Sequence, residues 1–78
     1  MTILHHFVEG QHVEIDGNPI GVTLTARTGR IVRQDEWAGY YIVRLDGPAV
    51  YRHPNGEQET LFELREAEDN LHPLIDQH

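Results

Sequence analysis

The sequence feature that most constrains the fold is the stretch Thr28–Pro48. Within it, Gly29–Gln34 and Tyr40–Asp46 are rich in β-branched, aromatic and alternating apolar residues, as strands are. The polar segment Asp35–Gly39 lies between them and has the composition of a turn. The stretch therefore predicts an antiparallel hairpin in the middle of the chain.

Closing this hairpin symmetrically about Trp37 predicts which residues face one another. Ile31 then faces Val43 in the core, and Arg30 faces Arg44 on the outer face. Two like charges side by side are unfavourable unless a carboxylate or an anion lies between them. The predicted arginine pair is therefore a feature that the fold alone does not explain.

The remainder of the chain has short strand patterns and strong turn signals, with no helical period lasting three turns. Before the hairpin we expect a strand over Gln11–Ile15 and a strand-like loop over Ile20–Ala26. After it we expect a polar excursion over Ala49–Gln58 and a strand over Glu59–Leu64 in which a bulge is possible. A helical or 3₁₀ turn over Glu66–Asn70 and a last strand over Leu71–Leu74 then follow. For Met1–Gly10, an edge strand or docked arm and a partly ordered tail remain as alternatives. The predicted core comprises Val13, Ile15, Ile31, Tyr41, Val43, Leu45, Leu61, Leu64 and Leu71.

Length and composition narrow the class of protein. The 78 residues suffice for a single domain, with a core over about residues 8–75. The absence of Cys excludes disulfides and thiolate metal sites and is compatible with a cytoplasmic location. Without a long apolar run or a basic leader we expect neither a membrane segment nor a signal peptide. The net charge of −7 disfavours nucleic acid as a general partner.

Four segments carry a resemblance to a known fold: Gly10–Val13, Thr28–Val32, Gly39–Asp46 and Glu68–Pro73. Over roughly residues 8–75 the chain resembles the small bacterial SH3-like barrel domains of the KOW or Tudor type. The resemblance implies an all-β, five-stranded SH3-like barrel with one short 3₁₀ or helical turn before the last strand. It does not imply one function, because this fold hosts protein-, RNA- and ligand-binding modules.

Two enzymes share this shape, and neither activity is carried over. The plasmid-borne type II dihydrofolate reductases have a Val-Gln-Ile-Tyr run in their pore, whereas this chain has Thr60-Leu61-Phe62-Glu63 at the corresponding stretch. The nitrile hydratase β chain ends in such a barrel, but nothing here resembles its partner chain or metal site. We therefore expect a non-catalytic module without a cofactor.

Aromatic and arginine side chains on the central hairpin and the loop after it form the best candidate binding site. Trp, Tyr and Arg are typical anchors of protein interfaces. The predicted contact residues for a protein partner are Trp37 at the hairpin tip, Tyr40 and Arg44 on the outer face, and Tyr51 and Arg52 in the following loop. The alternative is that Trp37 folds over the end of the barrel and that Tyr40 packs against a neighbour.

Two further partner classes remain open. Arg30 and Arg44 could bind the phosphates of RNA or DNA, unless they pair internally with Glu59, Glu63 or Asp46. A homo-oligomer would use Val32 and Ile42, expected to be exposed, as interface residues.

Metal binding and catalysis are not expected. The six His have no closed set of ligands at a spacing typical of zinc sites. The acidic group at Glu66–Asn70 is expected to cap the turn before the last strand, through Asp69 and Asn70.

Overall fold

A computed structural model describes residues 7–17 and 19–74 of the chain. The described part contains strands and one short 3₁₀ turn. The strands are β1 (His12–Ile15), β2 (Val22–Leu24), β3 (Thr28–Gln34), β4 (Tyr40–Arg52), β5 (Gln58–Ala67) and β6 (Leu71–Pro73), with the 3₁₀ turn at Glu68–Asn70. The all-β class and the 3₁₀ turn before the last strand are thus confirmed.

The strands form one antiparallel sheet built around β4. The first half of β4 lies between β3 and β5, and its second half lies between β2 and β5. On the other side of β3 the sheet continues through β1 to β6. The sheet has six strands and is open, since no pairing among the described residues joins β5 to β6. The expected closed, five-stranded barrel is therefore not what the described residues form.

The unexpected length of β4 accounts for much of this difference. Gly47 and Pro48 are usual strand-ending residues, yet β4 continues through them to Arg52. Between Arg44 and Ala49 the pairing with β5 shifts register, and Pro is tolerated at such an irregularity because its missing N–H need not enter the ladder. Gly47 lies close to the residues that follow β2, since an added Cβ at this position would be 2.9 Å from Thr25 Oγ1.

The segments before and after the central hairpin contain more strand than was predicted. Of the expected polar excursion Ala49–Gln58, Ala49–Arg52 continue β4 and Gln58 begins β5, so that only residues 53–57 form an irregular turn. In that turn the Gly56 N–H donates to His53 O at 2.9 Å, and Gly56 has the positive φ of +92° that favours glycine. The supposed loop Ile20–Ala26 contains β2, which pairs with the extension of β4.

The two residue pairs predicted for β3 and β4 are confirmed, although the hairpin does not close symmetrically about Trp37, since Gln34 lies opposite Tyr41. Ile31 lies opposite Val43 and Arg30 lies opposite Arg44. A bulge follows at Val32, since Arg33 is next paired with Ile42.

The core lies on one face of the sheet, where alternate residues of β1, β3 and β4 meet. Leu61 is only half-buried, whereas the other predicted core residues are buried. Two further residues, Phe7 and Ala49, belong to the core and were not predicted. The complete buried apolar set is Phe7, Val13, Ile15, Ile31, Tyr41, Val43, Leu45, Ala49, Leu64 and Leu71.

The segment before β1 is docked from Phe7 onward. The Phe7 ring meets the Tyr41 ring edge to face at 5.3 Å, and the Gly10 N–H donates to Ile31 O at 2.7 Å. This agrees with the docked-arm alternative for the part of Met1–Gly10 that is described. Residues 1–6 lie outside the described residues.

Candidate functional site

The six candidate binding residues do not share one surface, because the hairpin and the length of β4 distribute them over three separate places. Trp37 and Tyr40 lie at the β3–β4 turn, and the Arg30–Arg44 pair lies in the middle of the outer face. Tyr51 and Arg52 were expected in a loop but form the far end of β4. At ~3.3 Å per residue, the thirteen residues of this strand put its two ends too far apart for one small contact area.

The β3–β4 turn presents the largest exposed aromatic group in the described chain. Trp37 is 62% exposed and Tyr40 is 37% exposed, with the two rings edge to face at 6.2 Å. The Asp35 N–H donates to Tyr40 O at 2.9 Å, and the Tyr40 N–H donates to Trp37 O at 3.2 Å. These backbone bonds fix the turn, so Trp37 projects from the end of the sheet and is not folded over it.

Two residues that the sequence did not single out hold the indole in place. The Arg65 guanidinium lies over the Trp37 ring, 4.8 Å from its centroid. Arg65 Nε is also 2.7 Å from a carboxylate oxygen of Asp35, whose side chain is only 6% exposed. Because the Asp35 carboxylate is shielded from solvent, its ion pair with Arg65 fixes the guanidinium. The cation–π contact of that guanidinium then orients the Trp37 ring.

A cleft adjoins these aromatic residues. It has a volume of about 310 Å³ and is lined by Ala38, Gly39, Tyr40, Ala67, Glu68 and Asp69. The Glu68 N–H donates to Gly39 O at 2.7 Å, which brings the start of the 3₁₀ turn against the hairpin. Glu68 Oε1 is buried and accepts no hydrogen bond from the described residues. We call Trp37, Tyr40 and this cleft the Trp37 surface.

On the outer face, the arginine pair makes internal contacts. Arg44 Nη2 lies 3.2 Å from Glu63 Oε2, so one of the predicted internal pairings is present. Arg30 Nη1 donates to Gly10 O at 3.0 Å. A carboxylate thus flanks the pair on one side, which offsets part of the repulsion between the two guanidinium groups.

A polar cluster beside the arginine pair was not predicted. Thr28 Oγ1 donates to Asp46 Oδ2 at 2.6 Å, and the same oxygen is 2.7 Å from His12 Nε2. The hydrogen bond from Thr28, reinforced by that of His12, lowers the pKa of Asp46 below its ordinary value. The hydroxyl donates to the carboxylate and not to the imidazole, so this arrangement does not activate a nucleophile as a hydroxyl–imidazole–carboxylate triad does.

The far end of β4 is separate from the Trp37 surface and has contacts of its own. The Tyr51 ring packs edge to face on His53 at 4.5 Å, and His53 Nε2 lies 3.0 Å from Glu59 Oε1. Arg52 borders a separate cleft of about 360 Å³, lined with Gly21, Val22 and residues of β4 and β5. Tyr51 is therefore engaged within the sheet, and Arg52 is separated from the Trp37 surface.

The acidic group at Glu66–Asn70 is arranged differently from the prediction. No side chain caps the 3₁₀ turn, whose N-cap is Ala67. Instead, Asn70 Nδ2 donates to Glu66 Oε1 at 2.9 Å. Glu66 points inward and is 6% exposed, because β5 places it beside Tyr41. Within residues 7–17 and 19–74, no three His, Asp or Glu side chains are grouped so as to hold a metal ion.

Comparison with known proteins gives no relative from which a role could be transferred. No protein-family model matches the chain, and no curated protein and no solved structure matches it significantly. The described residues include no helix that is long and apolar enough to cross a membrane. The resemblance to SH3-like domains stays a prediction, and the case for a function depends on the geometry of the Trp37 surface.

Proposed function

We propose that this protein is a non-catalytic binding module that docks a protein partner on the Trp37 surface. The observation that carries the proposal is an indole that is 62% exposed yet held by its neighbours. An exposed Trp with several rotamers would lose side-chain entropy on binding, whereas one already oriented by Arg65 and Tyr40 loses less. Large, pre-oriented aromatic side chains are the groups that most often dominate interface energetics.

The surroundings of Trp37 fit a binding role better than a structural one. The ring contributes little to the core, since its contacts are with Arg65 and Tyr40 at the surface. Beside it, the cleft offers a concave region into which a partner side chain can enter. An aromatic projection next to a concavity is a typical arrangement for a small interface with one or two anchor residues.

The test is affinity capture from the native lysate with four forms of the full chain. Trp37→Ala and Tyr40→Ala are expected to lose a protein that the unaltered chain retains. Phe62→Ala is the matched control, because Phe62 is also 62% exposed but lies on β5 away from the turn. Equal capture by all four forms would show that the Trp37 surface is not the docking site.

Nucleic acid is the second candidate partner, and it is favoured by one observation. Arg30 and Arg44 lie opposite one another on the exposed face, and two adjacent guanidinium groups suit a phosphate. Against it stand Glu63, which pairs with Arg44, and the net charge of −7. Salt-dependent retention on single-stranded DNA or RNA that is lost in Arg30→Ala and Arg44→Ala together would favour this alternative.

A homo-oligomeric role receives less support. Val32 and Ile42, its expected interface residues, are half-buried and not exposed. A mass that rises with protein concentration would nevertheless favour this role over docking of a foreign protein.

A further inference from the structure

We infer that the partner segment docking on the Trp37 surface is basic and places a Lys or Arg side chain in the cleft between Tyr40 and Glu68. This inference rests on the proposed function and adds the chemical class of the partner. The charge around the surface, the carboxylates that line the cleft and its aromatic residue support it.

The first argument is the charge around the surface. Segments 33–40 and 65–70 together carry five carboxylates and two guanidinium groups. Both guanidinium groups, those of Arg33 and Arg65, lie within 4.0 Å of the same carboxylate, Asp35. Both guanidinium groups are thus directed to the nearly buried Asp35. The more exposed carboxylates of these segments, such as Glu36 and Asp69, have no guanidinium partner among them. The surface that a partner meets therefore has an excess of negative charge and attracts a cationic segment.

The second argument is the hydrogen bonding of the cleft. Glu68 and Asp69 line it, and no basic side chain does. An ammonium or guanidinium group in the cleft would therefore meet carboxylates and no competing basic group of the lining, and could form charge-assisted hydrogen bonds with them. A neutral partner side chain would gain no such contact, and an acidic one would be repelled.

The third argument is that the aromatic part of the surface already accommodates a cation. Arg65 lies over the indole of Trp37, which shows that a guanidinium fits against this ring. Tyr40 lines the cleft and is 37% exposed, so a second cation entering the cleft can contact this aromatic side chain. An aromatic side chain and carboxylates that line the same cleft favour both the alkyl stem and the charged end of Lys or Arg.

The experiment is selection from a random peptide library displayed on phage, with the full chain immobilised. Parallel selections use Trp37→Ala, the control Phe62→Ala and the double variant Glu68→Gln with Asp69→Asn. We define Trp37-dependent peptides as those recovered on the unaltered chain and on Phe62→Ala but not on Trp37→Ala. Far-UV circular dichroism of each variant verifies that it is folded.

We expect the Trp37-dependent peptides to be enriched in Lys and Arg relative to the unselected library. Their recovery on the double variant should fall about tenfold or more, as for loss of a charge-assisted contact. Trp37-dependent peptides without this enrichment, or with undiminished recovery on the double variant, would overturn the basic class and leave the docking surface standing. If no Trp37-dependent peptide emerges, the proposed function fails with the inference.

Discussion

Arg65 lies over the indole of Trp37 and at the same time pairs with the nearly buried carboxylate of Asp35. This contact joins β5 to the β3–β4 turn, so a residue distant in sequence fixes the exposed aromatic group. Asp35 depends on the same guanidinium, since Arg33 approaches it only to 3.9 Å. The arrangement makes Arg65 a stabilising residue as well as a positioning residue for Trp37.

Arg65→Ala should therefore destabilise the fold and loosen the indole. We expect a loss of about 1–2 kcal/mol, from the cation–π contact and from leaving Asp35 without its nearest partner. The measurement is urea unfolding, combined with acrylamide quenching of Trp37, the only Trp of the chain. Quenching should increase in Arg65→Ala and stay unchanged in the control Arg52→Ala, at the other end of β4. Unchanged quenching in both would contradict the positioning role.

Phe7 should contribute to stability as a core residue although it lies near the start of the chain. It is 9% exposed and packs on Tyr41, whereas its neighbour Val8 is 65% exposed. Truncating a buried Phe typically costs about 3 kcal/mol or more, and an exposed truncation about 0.5 kcal/mol or less. Urea unfolding of Phe7→Ala and Val8→Ala should show this contrast, and equal stabilities would contradict docking of the segment.

The pKa of Asp46 gives the fold a defined response to acid. Its pKa is lowered from the ordinary value of 3.8, mainly by the hydrogen bond from Thr28. Because the folded-state pKa lies below the unfolded one, ionised Asp46 stabilises the fold above the unfolded pKa, and this contribution is lost as the pH falls through the folded pKa. Thr28→Val, which lacks the donor, should have lower stability at neutral pH and a shallower loss on acidification.

The measurement is the free energy of urea unfolding as a function of pH, from neutral to below the ordinary pKa of Asp46. Thr28→Ser keeps the hydroxyl and is the matched control, so its pH dependence should follow the unaltered chain. Identical pH profiles for Thr28→Val and Thr28→Ser would show that the hydroxyl does not lower the pKa of Asp46.

Alternation along single strands made the inner face of the sheet predictable. Val13, Ile31 and Val43 each occupy an apolar position of a period-two pattern, and all are buried. The Arg30–Arg44 pairing was predicted correctly although the turn closes one residue off the expected symmetry, with Gln34 opposite Tyr41, because the bulge at Val32 restores the predicted pairs. These features depend on residues close in sequence.

The missed features depend on pairings that local sequence does not specify. Val50 and Tyr51 are typical strand residues, but Gly47 and Pro48 usually end a strand, so the sequence does not indicate that the two parts belong to one strand. The position of Arg65 beside Trp37 requires the register of β5, and the apolar pattern of β5 changes phase between Leu61 and Leu64. The exposed Trp could thus be chosen as a candidate from sequence, but not the residues that orient it.

The Arg30–Arg44 pair allows one further prediction, which concerns the carboxylate beside it. Glu63→Ala removes the partner of Arg44 and leaves two guanidinium groups opposite one another. Arg44→Ala removes the same ion pair but also the repulsion. Glu63→Ala should therefore be the more destabilising change, by about 0.5 kcal/mol, within the range of exposed cross-strand charge pairs.

Urea unfolding of both single variants and of the double variant measures this difference. The double variant should be close to Arg44→Ala in stability, because Glu63 has little left to balance once Arg44 is absent. Raising the salt concentration should reduce the gap between the single variants, since both groups are exposed and their interactions are screened. If Arg44→Ala were instead the more costly change, the apposed arginines would not repel one another in the folded protein, and a bound anion between them would become the better explanation.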